Sequence, residues 1–233
     1  MADPIPFRSA VPGTQPPYDL PAYLGTIKRH PLQPLHRLDS TVTETAGPRF
    51  SSTLFPEDGD LSRVDGQDAL GQRIIVAGTV TDEDGRPVPH TMLEIWQANA
   101  GGRYHHPADQ HDAPRDPHFK GSGRVFTDAD GHYRFLSVLP GAYPWPNHRN
   151  AWRPNHIHFS LFGPAFATRL ITQMYFAGDP LLAFDPIYNG VPDQAARARL
   201  VAGFDLDLTE PDYALGYRFN IVLRGRGATP MGI

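Results

Sequence analysis

The chain has 233 residues, a formal net charge of −4 and no cysteine, together with 25 prolines and 22 glycines. This composition argues against a helical bundle, because proline breaks helix interiors and glycine weakens them. It excludes disulfides, zinc fingers, iron–sulfur clusters and thiol nucleophiles, and with no basic excess it carries no electrostatic footprint for nucleic acid.

Hydrophobic residues make up 40% of the chain, enough for a real core, so many short strands joined by long proline-rich loops are expected. No apolar run approaches the roughly 20 residues of a membrane-spanning helix. The opening segment MADPIPFRSAVPG lacks the charged start and apolar stretch of a secretory signal. The expectation is a soluble, cytoplasmic protein with neither membrane nor nucleic acid as partner. Of 11 histidines, nine fall between His90 and His158.

In chain order, residues 1–55 read as an arm without periodicity, broken by Pro4, Pro6, Pro12, Pro16, Pro17, Pro21, Pro31 and Pro34, with a helical turn around 20–29. An arm that holds Phe7, Tyr18, Tyr23, Leu24, Ile27 and Leu35 but no core of its own is expected to pack on another surface. Residues 56–233 are expected to form one domain. An acidic loop at 56–72 leads to strands at 74–81 and 92–97 around an Asp84-Gly85 turn, a hairpin or sandwich signal. The loop 98–122 is rich in His, Asp, Pro and Gly, and a second pair of strands flanks Asp130-Gly131. A loop at 139–154 holds four prolines and two tryptophans before the strands HIHFSLFG and RLITQMYF. One helix is expected at 192–203, with Asp193 as its N-cap and Gly203 as its stop, followed by a last strand, YRFNIVLRG. About eight strands and one short late helix point to an all-β, antiparallel β-sandwich with long Pro-rich loops.

Strand alternation puts His156 and His158 on one face and Ile157 on the other, where two imidazoles can share a metal. Taken alone, the pair reads more plainly as two ordinary histidines on a polar sheet face. The flanks add to it. PGAYPWPNHRNAWRP is a rigid aromatic loop leading straight into the H-x-H strand, and WQANAGGRY ends a strand in a Gly-Gly turn that projects Arg103 and Tyr104. A metal with two His and two Tyr ligands would be Fe(III) rather than zinc, since phenolate is a hard anionic donor that needs a strong Lewis acid to ionise it.

EIWQANAGGRY, PGAYPWPNHRNAWRPNHIHF and LITQMYF together resemble the intradiol ring-cleaving, non-haem Fe(III) dioxygenases, in particular their protocatechuate-cleaving β chains, over about residues 23–225. The resemblance implies that family's β-sandwich core and one Fe(III) per chain with no organic cofactor. Its metal ligands would be Tyr104, Tyr143, His156 and His158, with Tyr143 also taking up a proton from the substrate. It implies a homologous α chain as partner in an αβ unit that assembles further, and conversion of protocatechuate and O2 to 3-carboxy-cis,cis-muconate. By the same resemblance Arg153 and Gln173 are expected beside the bound ring, Trp96, Trp145 and Ile187 as pocket walls, and Tyr23 and Arg29 near the substrate carboxylate. His105, His106, His111 and His118 read as a solvated polar loop and not a second metal site. Catechol, hydroxyquinol and a sulfocatechol stay open as alternative substrates. A transthyretin-like binding sandwich explains the strands but leaves two tyrosines, H-x-H and Arg153 converging by accident. A zinc hydrolase lacks a nearby carboxylate, since residues 140–165 contain no Asp or Glu.

Overall fold

The structure is a computed structural model and describes residues 10–36, 50–162 and 169–232. A small ribbon, β1 (Arg63–Val64) with β2 (Gln67–Asp68), precedes β3 (Arg73–Thr81), β4 (Met92–Trp96), β5 (Ser122–Phe126) and β6 (His132–Val138). A second ribbon, β7 (Tyr143–Pro144) with β8 (Trp152–Arg153), is followed by β9 (His156–Phe162), β10 (Leu170–Phe176), β11 (Val201–Phe204), β12 (Leu215–Arg218) and β13 (Ile221–Val222).

The main strands run β5-β4-β9-β10-β11-β12-β3, with β6 on the far edge of β3. The sheet folds over so that its two halves face each other. Phe159 of β9 meets Phe135 of β6 at 5.9 Å between ring centroids and Phe219 at 5.3 Å. Leu61, Ile74, Val76, Leu93, Ile95, Ile157 and Leu161 fill the rest of the space between the halves. The expected sandwich is therefore present, although its strands are not all antiparallel: β10–β11, β12–β3 and β13–β3 are parallel pairs.

Both Asp-Gly turns form; the first closes a single antiparallel bridge, Thr81 with Pro87, and neither joins two paired strands. Asp82 accepts from the amides of Asp84 and Arg86, and Asp128 does the same for Asp130 and His132. Gly85 and Gly131 supply the positive φ such turns need, 78° and 77°. Each turn carries the chain from one half of the sandwich to the other, so β3 pairs with β6 and β4 pairs with β5 and β9. The expected last strand is split. At the break, the Asn220 side chain accepts from Thr79 N at 3.0 Å in place of a ladder carbonyl, and Phe219 O accepts from the Tyr133 hydroxyl at 2.6 Å.

The late helix spans only Gln194–Ala198, with Asp193 accepting from Ala196 N as its N-cap. Gly203 is not its stop: residues 201–204 join the sheet as β11, where burial of Ala202 outweighs the helical pattern. A second short helix, Pro186–Asn189, starts from Asp185, and the helical turn expected around 20–29 is a 3-10 turn at Leu24–Lys28. Of the arm, residues 1–9 and 37–49 lie outside the described residues. The described part runs against the 139–154 loop, where the Asn147 side chain accepts from Leu24 N and donates to Ala22 O. Among the described residues no helix is long and apolar enough to cross a membrane.

Candidate metal centre

β9 divides its side chains between two environments. Ile157 and Phe159 point into the sandwich, and His156 and His158 point out, under the long loops. The register of the neighbouring strands sets what surrounds them. Trp96 of β4 and Gln173 of β10 stand on either side of His158, and Tyr175 of β10 stands beside His156. Trp96 lies flat on the His158 imidazole, with centroids 4.8 Å apart and planes 2° apart.

Two loops bring the tyrosines over this face. Asn99 Oδ1 accepts from the amides of Gly101 and Arg103, and Asp109 Oδ2 accepts from Tyr104 N at 2.7 Å. Gly102 has φ +81°, and a Cβ there would sit 2.2 Å from Ala142 O. A Cβ on Gly141 would likewise sit 2.4 Å from Ala100 O. The loops thus cross backbone to backbone, a contact open only to glycine. It brings the Tyr104 and Tyr143 rings into an edge contact at 5.4 Å. In the β7–β8 ribbon, Tyr143 stands opposite Arg153.

Four donor atoms converge. Tyr104 Oη lies 3.1 Å from His158 Nε2 and 3.5 Å from His156 Nε2, and Tyr143 Oη lies 3.3 Å from His156 Nε2. His156 Nδ1 is 2.6 Å from Pro154 O, which only accepts, so Nδ1 carries the proton and Nε2 offers a lone pair. Burial lowers the His156 pKa well below its usual value and takes His158 to about 3, with the Arg153 charge acting in the same direction on both. Burial also raises Tyr104 well above the normal phenol value and raises Tyr143. These directions favour neutral imidazoles and protonated phenols across the cluster.

Such a set fits a metal ion. Metal–ligand bonds of about 2.0–2.2 Å place adjacent donors about 3.0–3.4 Å apart, close to the separations seen here. Among the described residues no group of three or more His, Cys, Asp or Glu could hold a metal, so an ion at this place must use the tyrosines, and that donor set favours a hard trivalent cation.

A cavity of about 790 Å³ opens beside the cluster, lined by Tyr104, Tyr143, Trp145, Trp152 and residues of the 108–111 segment among others. Its size suits a single aromatic ring with room to spare.

Comparison with known proteins agrees with this geometry. A family model described as "Dioxygenase" matches residues 45–225, and one described as "Protocatechuate 3,4-dioxygenase beta subunit N terminal" matches residues 7–41. The chain is 57% identical over 221 residues to the protocatechuate 3,4-dioxygenase beta chain of Burkholderia cepacia, covering 94% of each. The chain belongs to the intradiol dioxygenase family. It is 32% identical to a catechol 1,2-dioxygenase of Candida albicans over 78% of this chain and 62% of that one. Among solved structures, hydroxyquinol 1,2-dioxygenase from Pseudomonas putida superposes with a TM-score of 0.53 at 25% identity, covering 72% of this chain and 59% of that one. The dioxygenase domain of a Streptomyces carbohydrate-binding fusion gives 0.51 at 26% identity, covering 77% and 95%.

Within this intradiol dioxygenase, the residues expected at the site fall into three groups. Tyr104, Tyr143, His156 and His158 come together, with Arg153 and Gln173 directly behind them. Gln173 Oε1 accepts from Arg153 Nη2 at 2.5 Å. Of the expected pocket walls, Trp145 lines the cavity and faces Arg153, whose guanidinium carbon is 5.6 Å from its ring centroid. Trp96 is instead packed flat behind His158, and Ile187 is buried in the Pro186–Asn189 helix; neither lines this cavity. Tyr23 stacks edge-on against Trp145 at 5.0 Å, with Arg29 over its far side, one layer out from the cavity wall.

Three contributors were not singled out from the sequence. Tyr175 donates to Gln173 Oε1 and accepts from Arg153; it lies two residues beyond Gln173 on the same strand face, so alternation alone marks it. Asp185 and Asp109 sit in loops with no periodic signal. His111 lines the cavity, edge-on to Trp152 at 6.4 Å, so one of the loop histidines read as solvated faces the site.

Proposed function

We propose that this chain is the iron-bearing subunit of a protocatechuate 3,4-dioxygenase, converting protocatechuate and O2 to 3-carboxy-cis,cis-muconate. The observation that carries the reading is the convergence of Tyr104 Oη, Tyr143 Oη, His156 Nε2 and His158 Nε2 at 3.1–3.5 Å on one buried face. These four would hold one Fe(III) per chain, and no organic cofactor is required because both oxygen atoms end in the product. The choice of protocatechuate over catechol or hydroxyquinol is supported by the N-terminal family match and by the 57% identical relative.

When bound, Fe(III) supplies a Lewis acid that favours the catecholate form of the substrate and makes its ring electron-rich toward O2. The chain's own residues supply the rest. His156 keeps its Nδ1 proton on Pro154 O and presents Nε2, and Trp96 fixes the plane of His158. Both phenols must lose their protons on metal binding, which makes the site's affinity fall as pH falls. Tyr143 Oη, on the cavity wall, is the atom placed to take up one catechol proton. Arg153 brings a fixed positive charge beside the ring, where negative charge develops, and its presence is already felt in the depressed basicity of both imidazoles. Trp145, Trp152, Pro144 and Pro146 give the cavity apolar walls that exclude water.

The arm is assigned to the pocket mouth and to a homologous α chain in an αβ unit within the cytoplasm. Its support is the row of apolar side chains the arm leaves open to solvent, Tyr18, Leu24, Ile27, Leu32 and Leu35, with Leu32 86% exposed.

The visible spectrum and iron content of the protein co-produced with its partner chain test this reading. A broad blue-green absorption from phenolate-to-iron charge transfer, one iron per chain and consumption of one O2 per protocatechuate are expected. A colourless protein without iron, or one that cleaves catechol faster than protocatechuate, would overturn the centre or the substrate respectively.

A further inference from the structure

Arg153 carries a charge into a place closed to water: its side chain is 4% exposed, and that of Asp185, its ion-pair partner at 3.2 Å, is 0% exposed. No second carboxylate lies within ion-pair distance of Arg153 among the described residues. Three acceptors meet on one nitrogen of the Arg153 guanidinium. Its Nη2 donates to Asp185 Oδ2, Gln173 Oε1 and Tyr175 Oη at 3.2, 2.5 and 3.2 Å. Its Nε is buried and has no acceptor, an arrangement that leaves a desolvated charged donor free.

Asp185 divides its two carboxylate oxygens. Oδ2 takes Arg153, and Oδ1 accepts from Ile187 N at 3.2 Å, the first turn of the Pro186–Asn189 helix. That helix packs through Ile187, and Asn189 bonds back to the Asp185 carbonyl, so the carboxylate is anchored from behind. Across the β7–β8 ribbon, Tyr143 stands opposite Arg153, and the guanidinium already acts on its phenol by charge and by a hydrogen bond.

We propose that Asp185 is a positioning residue for Arg153: it fixes Nη2 on the helix side and so sets where the guanidinium charge stands behind the ring of the bound substrate. The inference rests on the role proposed above for Arg153, and it adds a residue outside the cavity wall that sets the turnover rate without touching substrate.

Two double-mutant cycles on the full-length protein test it, using D185N, R153Q and the double variant D185N/R153Q. Asparagine caps helices as well as aspartate does, so D185N removes the charge and keeps the helix start. In the kinetic cycle D185N lowers kcat about tenfold or more with KM changed less than about threefold, and in the R153Q background the same substitution has less than about a twofold effect. In the thermal cycle D185N lowers the unfolding midpoint, and adding R153Q restores most of it, because the uncompensated buried cation is gone. A D185N enzyme with unchanged kcat, or one whose loss is the same in both backgrounds, overturns the proposal. If D185N does not fold, the double variant decides: folding with the kcat of R153Q supports it, and failing to fold overturns it. Wild-type protein inactive on every catechol would overturn the functional reading instead; the thermal cycle then still reads the coupling, and additive midpoints would overturn the pairing.

Discussion

His156 and His158 sit on a strand whose other face is core, whereas Tyr104 and Tyr143 sit on loops that touch each other backbone to backbone. The first half of the site is fixed by the β4–β9–β10 ladder and would hold its shape without the loops. The second half depends on two glycine crossings and on Asn99 and Asp109 side chains tying down loop amides. The imidazoles are placed by strand pairing, and the phenols by side-chain caps and two close backbone approaches.

The largest effect should come from breaking the strand half. His158→Ala is expected to abolish turnover and lower iron affinity by at least about 100-fold, and to lower the unfolding midpoint of the iron-loaded protein through loss of the bound ion; iron analysis and calorimetry check both. Next is Tyr143→Phe, which leaves three donors. It should retain iron, shift the charge-transfer band, and lower kcat by about 100-fold through loss of the proton acceptor; unchanged turnover would remove that role.

Glycine substitutions sharpen the loop half. At Gly102 an added Cβ meets Ala142 O at 2.2 Å, whereas at Gly85 nothing lies within 4 Å, and both have positive φ. Gly85→Ala should cost only the left-handed backbone penalty, about 1–2 kcal/mol. Gly102→Ala should cost visibly more and also lower iron content, which Gly85→Ala should not.

The smallest effect lies in the core, at Tyr133. Burial raises its phenol well above the usual value near 10, so above that pH the unfolded chain binds fewer protons than the folded one. Stability is full below about pH 10 and falls as pH rises past it. Tyr133→Phe should remove this group's share of the alkaline slope, about 1.4 kcal/mol per pH unit, as read from denaturant midpoints between neutral and alkaline pH.

The strand half was also the legible half. Period-two alternation put His156 and His158 together, and the same rule applied to Gln173 would have reached Tyr175. The Gly-Gly turn draws attention to Tyr104, but the pairing of Tyr104 with Tyr143 as ligands comes only through resemblance, since nothing in their spacing says that Gly102 lies on Ala142. Asp185 could not be read at all: its partner is 32 residues away in sequence, and its loop position looks like any capping aspartate. Trp96 and Ile187 are expected as walls by resemblance alone; register puts Trp96 flat against an imidazole, and Ile187 is buried in the Pro186–Asn189 helix. Local turn chemistry is legible at both Asp-Gly pairs; of the two arrangements it leaves open, hairpin or sandwich, the structure takes the second, with each turn crossing between layers.

The split final strand sets an order on assembly. β3, near residue 75, is flanked on one edge by β6 and on the other by β12 and β13, which pair with it in parallel from positions 215–222. The half of the sandwich behind the imidazoles therefore stays open along one edge until the ribosome has delivered those last strands, whereas every strand of the imidazole half up to β10 is already made. Such distant pairing is slow to close, and during that interval the backs of Ile157 and Phe159 are covered on one side only. The metal-binding face can thus be complete as a surface before the protein beneath it is complete as a fold.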